Sequence, residues 1–392
     1  MATSNTTTAT TGDGAVPATG LELRSRLDAD GTITIAVVEA DVPAPGAEEV
    51  TVRIEAAPVN PSDMGMMFAM GDVSAAETVE VDGRPGARLP VSERATQAQS
   101  VRHGRDLPFG NEGAGVVVAA GDSPAAQELV GRTVGFLSGN AYAQYRTVPV
   151  AACLPVPDGT PARAAAAAFV NPLTALGMIE TMRREGHTTL VHTVGASNLG
   201  QMLIRLCAAE GIELVNIVRR PEHVEQLRAL GANHVCNSGD DDFDEQLTAA
   251  MSATGATIAF DAIGGGTMAS RLLTAMERAA SAAGDGGFSR YGSDVYKQVY
   301  IYGGLDRSPT VLDRTFGMTW GVGGWLLTPF LMSIGADDRA RLNQRVVDEL
   351  TTTFRSDYGM ELDLHQAVDP ARIAEYGRQS TGNKALITPH GG

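Results

Sequence analysis

The sequence predicts an α/β chain in two parts, a β-rich domain and a doubly wound parallel-sheet domain, and three observations carry that prediction. Before Pro161, strand patterns are separated by Gly, Pro and Asp turns and leave little room for helix. From Ala162 onward, strand and helix patterns alternate, as they do when a parallel sheet is covered on both faces. Within that second part, Thr188 to Arg220 reads as strand, glycine-bearing turn, helix and second strand in one unbroken unit.

In chain order, the first 20 residues are Thr- and Ala-rich and have neither the basic nor the apolar segment of a secretory signal, so residues 1–20 are expected to be a disordered tail. Strands are expected at Thr32 to Val38, Glu49 to Ala57, Gly115 to Ala120 and Arg132 to Phe136. The alternating part begins with Ala164 to Phe169 and a helix over Asn171 to Arg184. After the strand-turn-helix-strand unit come Glu222 to Leu230, Ala256 to Phe260, Met268 to Arg278 and Gln298 to Tyr302. Lys384 to Thr388 reads as a last strand after a turn, returning to the β-rich part. The expected domains are therefore 21–165 with 345–392, and 166–344.

The chain has 392 residues and a formal net charge of -16, which argues against nucleic acid or an anionic membrane surface as the main partner. No apolar run is read as a membrane span, and a cytoplasmic protein acting on a small molecule is expected. Cys153, Cys207 and Cys236 are widely spaced and form no paired motif, so neither a disulfide nor a metal is expected of them.

Thr189 to His192 enters the turn Gly195, Ala196, Ser197, Asn198, Leu199 and Gly200, which opens a helix with Leu199, Met202, Leu203, Leu206 and Cys207 at helical spacing. Unpaired N–H groups and the positive dipole end of such a helix suit a pyrophosphate, and the small residues let it approach the backbone. An NAD-binding unit places Asp or Glu about 20 residues beyond the glycine turn, on the adenosine ribose hydroxyls. Here that place holds Arg219 and Arg220. Two guanidinium groups there can clamp a 2′-phosphate, which selects NADPH; the other reading has one arginine covering the adenine face and the other in water.

Six further segments occur in order: Ala57-Pro-Val-Asn-Pro-Ser-Asp63, Gly110-Asn-Glu-Gly-Ala-Gly115, Tyr142-Ala-Gln-Tyr145, Asn171-Pro-Leu-Thr-Ala175, Phe260-Asp-Ala-Ile-Gly-Gly265 and Gly382-Asn-Lys-Ala-Leu386. With them the chain resembles the medium-chain dehydrogenase/reductase superfamily, in its zinc-free branch of quinone oxidoreductases and 2-enoyl thioester reductases. The resemblance implies a GroES-like catalytic domain, a Rossmann domain and a homodimer. Zinc-dependent relatives carry a His and a Cys where this chain has Asn111 and the Asn60-Pro-Ser-Asp63 run, and catalytic zinc needs such ligands. Hydride transfer to a quinone or an electron-poor C=C is then the expected chemistry. The alternatives are a zinc-free alcohol or aldehyde oxidoreductase and a non-catalytic NADPH-binding sensor.

The resemblance also suggests roles for single residues. Asn60 orients the nicotinamide or the acceptor oxygen, or is a turn residue before Pro61; Asp63 serves the substrate or nearby backbone. Asn171 and Thr174 start a helix beside the cofactor, where Asn is also a good N-cap. Ile263, Gly264 and Gly265, with Gly266, form a loop over the nicotinamide, and Tyr302, Gly303 and Gly304 repeat it one strand later. Trp325 is counted with the cofactor residues, within a Gly-rich stretch that also holds Trp320 and that relatives use at a subunit interface. Lys384 reaches the cofactor. Enoyl reductases place a Tyr soon after the Asn-Pro-Ser-Asp run; none precedes Tyr142, which is kept as a stand-in proton donor. No catalytic role is expected of His192. An insertion between Gly71 and Pro108 carries Arg84, Arg88, Arg94, Arg102, Arg105 and His103, and reads either as an anion-recognising lid or as a solvated surface loop.

Overall fold

The structure, a computed structural model, describes residues 16–284, 289–379 and 381–391. The chain divides into two compact units: Met1–Val170 with Val347–Thr351 and Arg355–Gly392, and Asn171–Val346 with Thr352–Phe354.

The first unit runs β1 (Thr19–Leu27), β2 (Thr32–Asp41), β3 (Glu49–Pro58), α1 (Met64–Phe68), β4 (Glu77–Val81), β5 (Arg84–Pro90), α2 (Glu93–Ala98), β6 (Leu107–Pro108), β7 (Glu112–Ala120), α3 (Pro124–Gln127), β8 (Thr133–Leu137), β9 (Tyr145–Pro149), β10 (Cys153–Pro155) and α4 (Ala162–Ala165). Then α5 (Val170–Arg184) leads to β11 (Leu190–His192), α6 (Asn198–Glu210), β12 (Leu214–Val218), α7 (Pro221–Ala229), β13 (His234–Asn237), α8 (Phe243–Thr254) and β14 (Ile258–Asp261). The second unit continues with β15 (Gly264–Gly266), α9 (Met268–Ala283), β16 (Lys297–Ile301), β17 (Asp306–Thr310), β18 (Trp320–Gly324), α10 (Leu327–Ser333) and α11 (Ala336–Asp348). The chain returns to the first unit as β19 (Met360–Leu362), α12 (Pro370–Tyr376) and β20 (Ala385–Ile387), where β20 lies antiparallel to β3.

Among the described residues the first unit holds two mainly antiparallel sheets, β4-β5-β2-β1-β6 and β10-β8-β7-β3-β20-β19 with β9 also on β3. Period-two alternation explains their packing: Ile33, Ile35 and Val37 of β2 and Val50, Val52 and Ile54 of β3 point into one core with Phe68, Phe109 and Phe136. The tail expected over 1–20 does not reach Thr19. Residues 1–15 lie outside the described residues, but Thr19 and Gly20 already belong to β1, and the Val42 N–H donates to the Ala18 carbonyl at 2.9 Å.

The Gly71 to Pro108 insertion is not a loop. β4 and β5 form a hairpin that extends the sheet through β2, with Thr32 opposite Pro90 and Ala36 opposite Gly86. Ala87, Leu89 and Val91 enter the core, and Gly86 lies so close to β2 that a Cβ there would sit 2.7 Å from the Ile35 carbonyl oxygen. Its arginines do not converge on a common patch. Arg84 pairs with Glu39 at 2.8 Å, while Arg88, Arg94 and Arg105 are exposed. Arg102 is buried, its guanidinium donating to Ser25 Oγ (2.7 Å), the Met66 carbonyl (2.9 Å) and Gln99 Oε1 (3.3 Å). That is a structural tie between the insertion, β1 and α1.

The second unit contains a parallel sheet of order β13-β12-β11-β14-β16-β18. Renumbered from its own first strand this is 3-2-1-4-5-6, the doubly wound Rossmann order, and its strand order reverses between β11 and β14. Because helices cover both faces, the central strands are apolar without alternation; every residue of β12 is buried. Ala164 to Phe169, expected to continue the alternation of elements, straddles the end of α4 and a turn. The stretch Ala162–Arg184 is long and apolar enough by composition to cross a membrane, contrary to the sequence reading, but 78% of its most apolar window is buried inside the protein. Its apolarity is spent on core packing.

Candidate functional site

In the second unit the polar groups gather where the strand order reverses. After β11 the chain turns through Val194, whose φ of 56° lies in the left-handed region, and Gly195, whose N–H donates to the Ile217 carbonyl at 2.9 Å. The turn is tightly packed: a Cβ on Gly200 would lie 2.1 Å from the Gly195 backbone oxygen, and one on Gly195 would lie 2.9 Å from the Leu227 side chain. Ser197 caps α6 by accepting the Gly200 N–H at 3.1 Å, and Asn198 and buried Leu199 form its first turn. The tight turn leads into a capped 13-residue helix, whose N-terminal N–H groups and dipole suit an anion.

Thr193 and Asp261, not singled out from sequence, fasten the two strands that flank the reversal. Thr193 Oγ1 donates to Asp261 Oδ1 (3.0 Å) and accepts the Ala262 N–H (2.8 Å). The same carboxylate accepts the N–H groups of Ile263 (2.9 Å) and Gly264 (3.1 Å). Burial pushes the Asp261 carboxyl upward in pKa against these bonds. Gly264 to Gly266 is then a short strand, β15, paired with β17, rather than a plain crossover loop, and Thr310 Oγ1 donates to the Gly264 carbonyl at 2.6 Å. Gly264 adopts φ 79°, and a Cβ on it would meet the Gly303 oxygen at 2.6 Å; a Cβ on Gly303 would meet the Ala262 oxygen at 2.6 Å. The two glycine loops therefore lie back to back.

The Tyr302 N–H continues the ladder to the Asp261 carbonyl, and the Trp325 N–H donates to the Ile301 carbonyl, each at 2.9 Å. Ile301, Tyr302, Gly303, Gly324, Trp325, Leu326 and Pro329 line a cavity of about 300 Å³ at the carboxyl ends of β16 and β18. The Trp325 ring is fixed by its Nε1–H on Thr181 Oγ1 (3.0 Å) and an edge-on contact with Phe260. Trp320 packs edge-on against Phe316 instead. Thr174 is buried within α5. Asn171 is not an N-cap, because the helix begins one residue earlier at Val170. Arg219 and Arg220 are exposed just past β12; Arg220 meets Glu222 (3.1 Å) and His223 Nε2 (2.6 Å).

In the first unit a second polar cluster forms around Glu112, another residue whose role sequence reasoning missed. Its carboxylate is fully buried and accepts Asn60 Nδ2 (2.9 Å) and the N–H groups of Phe169 (2.8 Å) and Val170 (2.9 Å). Asp63 accepts the N–H groups of Asn60 and Asn111, both at 2.8 Å, so it serves backbone; burial still pushes its carboxyl up to about 6. Asn60 is buried with its Oδ1 unpartnered. The Lys384 Nζ is also sealed from water without a hydrogen-bond partner, 5.8 Å from the Tyr358 ring centroid, and burial lowers its pKa against the pull of Glu112 and Asp63. A polar amide oxygen and an ammonium left unpaired in one buried cluster are groups suited to a polar ligand.

Tyr142 does not fit the role of stand-in proton donor. It lies in a core with 1% exposure, packs edge-on against Phe109, and donates its hydroxyl to the Pro58 carbonyl at 3.0 Å. It is also outside a strand, since β9 starts at Tyr145.

Residues 199–298 match the family profile described as zinc-binding dehydrogenase. The chain is 30% identical over 171 residues to the "Probable quinone oxidoreductase" of Schizosaccharomyces pombe, covering 42% of this chain and 51% of that protein. It is 29% identical over 205 residues to the mitochondrial enoyl-[acyl-carrier-protein] reductase of Bos taurus, covering 50% and 46%. The chain thus spans about half the length of these curated relatives. A crystal structure from Mesorhizobium loti, provisionally named an NADPH:quinone reductase, superposes with a TM-score of 0.71 at 25% identity, covering 96% of this chain and all of that one. Zinc, which the profile's description implies, does not fit the residues present. Among the described residues no group of three His, Cys, Asp or Glu side chains stands ready for a metal, Asn111 donates to Ser62 Oγ, and burial pushes all three cysteine thiols up to about 12. Residues 199–298 thus match a dehydrogenase domain, and the chain is similar in sequence and in fold to quinone oxidoreductases and enoyl reductases.

Proposed function

We propose that the protein is a zinc-independent, NADPH-dependent reductase that transfers hydride to a quinone or an electron-poor C=C. The observation that carries this reading is the pair Arg219 and Arg220, exposed directly after β12, the strand whose Ile217 carbonyl holds the phosphate turn, where an NAD-specific chain places a carboxylate. Relatives named as quinone oxidoreductase and enoyl reductase support the reaction class.

When bound, the reduced nicotinamide supplies the hydride. The capped start of α6 receives the pyrophosphate, and Arg219, with Arg220 beside it, takes the 2′-phosphate; Arg220 is the less available because Glu222 and His223 already engage it. The cavity between Tyr302 and Trp325 accommodates a planar ring, with Gly303 allowing close approach. In the first unit Asn60 offers an unpartnered oxygen, and Lys384 an unpartnered ammonium, to a polar reactant. With the Tyr142 hydroxyl committed to Pro58, water protonates the reduced acceptor. β18 is an edge strand, and Met318, Leu326 and Met332 are exposed around it, which supports a homodimer formed on this edge.

Titration followed by nicotinamide fluorescence tests the cofactor. Wild type is expected to prefer NADPH over NADH by about 100-fold, and the double change Arg219→Ala with Arg220→Ala to abolish that preference. Equal affinities in the wild type overturn the 2′-phosphate assignment. Stopped-flow NADPH oxidation with quinones, enones and enoyl thioesters then tests the acceptor class, and turnover with none of them overturns it. In the same assay Tyr142→Phe is expected to keep kcat within about twofold while costing about 1 kcal/mol of stability, the worth of one buried hydrogen bond.

A further inference from the structure

One buried polar side chain, that of His192, takes no part in the proposed reaction. His192 ends β11 with no exposed surface, and its Nε2 lies 2.7 Å from the hydroxyl oxygen of Tyr302, with the two rings stacked at 5.8 Å and 24°. The other ring nitrogen, Nδ1, is sealed from solvent and has no partner. Burial holds the imidazole neutral, its pKa driven down to about 3, so one nitrogen carries a proton and the other a lone pair.

Which nitrogen carries it follows from the pairing. A proton on Nδ1 would strand an N–H donor in the interior with nothing to accept it, and buried N–H groups without partners are rarer than under-used acceptors. A proton on Nε2 makes the bond to Tyr302 and leaves only a bare lone pair on Nδ1. In that arrangement the Tyr302 oxygen is an acceptor, and its own O–H proton is not used on His192. Tyr302 also lines the 300 Å³ cavity with Gly303 and Trp325. Burial, reinforced by Asp261, raises the phenol well above its ordinary pKa, which keeps the proton in place for hydrogen bonding rather than transfer.

We infer that His192 Nε2–H donates to Tyr302 and thereby sets the Tyr302 hydroxyl as a hydrogen-bond donor to a carbonyl oxygen on a planar ring in the cavity. Resting on the proposed function, that oxygen is the carboxamide oxygen of the nicotinamide. His192 is then a positioning residue and Tyr302 a cofactor-recognising one.

The test uses the purified full chain and two nucleotides, NADPH and its thionicotinamide analogue, whose sulfur is a much weaker acceptor than oxygen. Wild type is expected to bind NADPH about 10-fold more tightly than the analogue, and Tyr302→Phe to bind the two alike. His192→Phe, which keeps a planar ring but removes the donor, is expected to reduce the ratio in the same direction. If Tyr302→Phe weakens both nucleotides equally and preserves the ratio, the tyrosine only packs and the inference is overturned. A 15N spectrum of labelled histidine with the His192 proton on Nδ1 overturns it independently. If wild type binds neither nucleotide, the cofactor reading itself fails, whereas the histidine spectrum still reports on the orientation of the pair.

Discussion

Replacing Glu112 by alanine is expected to lower stability by about 4 kcal/mol, the largest effect of any single side-chain removal in the first unit. One buried carboxylate serves three donors: the Asn60 amide and the N–H groups of Phe169 and Val170. Alanine leaves all three in the interior without an acceptor and removes the carboxylate that most favours the charged form of Lys384. Glutamine keeps one oxygen but turns an NH2 group toward donors, so Glu112→Gln is expected to cost about half as much. Thermal unfolding followed by circular dichroism reads both, with a midpoint fall of roughly 10 °C for the alanine variant. A fall within about 2 °C for Glu112→Ala would show that water replaces the carboxylate without penalty.

Gly200→Ala is expected to have the largest effect on cofactor binding, a loss of roughly 100-fold or more in NADPH affinity, the scale on which a displacement of about 1 Å acts. The added Cβ would sit 2.1 Å from the Gly195 oxygen and 2.6 Å from its carbonyl carbon, both backbone atoms that cannot rotate away. The turn must open, and the N–H groups at the start of α6 lose their common aim. Gly211→Ala, at the other end of the same helix, supplies the control. Gly211 has φ 65° with open space around it, so alanine there strains one residue by about 1 kcal/mol and leaves binding unchanged. Equal nucleotide affinity in the two variants, read by fluorescence titration, would remove the turn from the binding site.

What could be read from sequence was what is local. The phosphate turn, α6 and β12 lie within about 30 residues, and glycine spacing, a capping serine and helical periodicity are all signals carried by near neighbours. β1 escaped because Arg24 and Arg26 obscure its alternation: Arg26 is an exposed side chain paired with Asp28, and Arg24 reaches back to Glu22. The insertion escaped because Asp82-Gly83-Arg84-Pro85-Gly86 reads as loop chemistry, and only pairing with β2 makes it a strand. Glu112 was visible in its motif, but its task was not, since its backbone partners lie 57 and 58 residues away. The His192 and Tyr302 contact spans 110 residues and depends on β11 and β16 flanking β14. Tyr142 was misjudged for the opposite reason: a tyrosine near a cofactor motif invites a chemical role, and nothing local announces that a backbone carbonyl already holds its hydroxyl.

The back-to-back seating of Gly264 and Gly303 has a consequence for how this chain can drift over generations. A methyl group at either position is obstructed by a backbone carbonyl, not by a side chain that a second substitution could trim. Neither loop can therefore accept a larger residue by repacking. Change has to arrive as a joint insertion or deletion that resets both loop lengths, so in descendants of this sequence the two segments are expected to vary together or not at all.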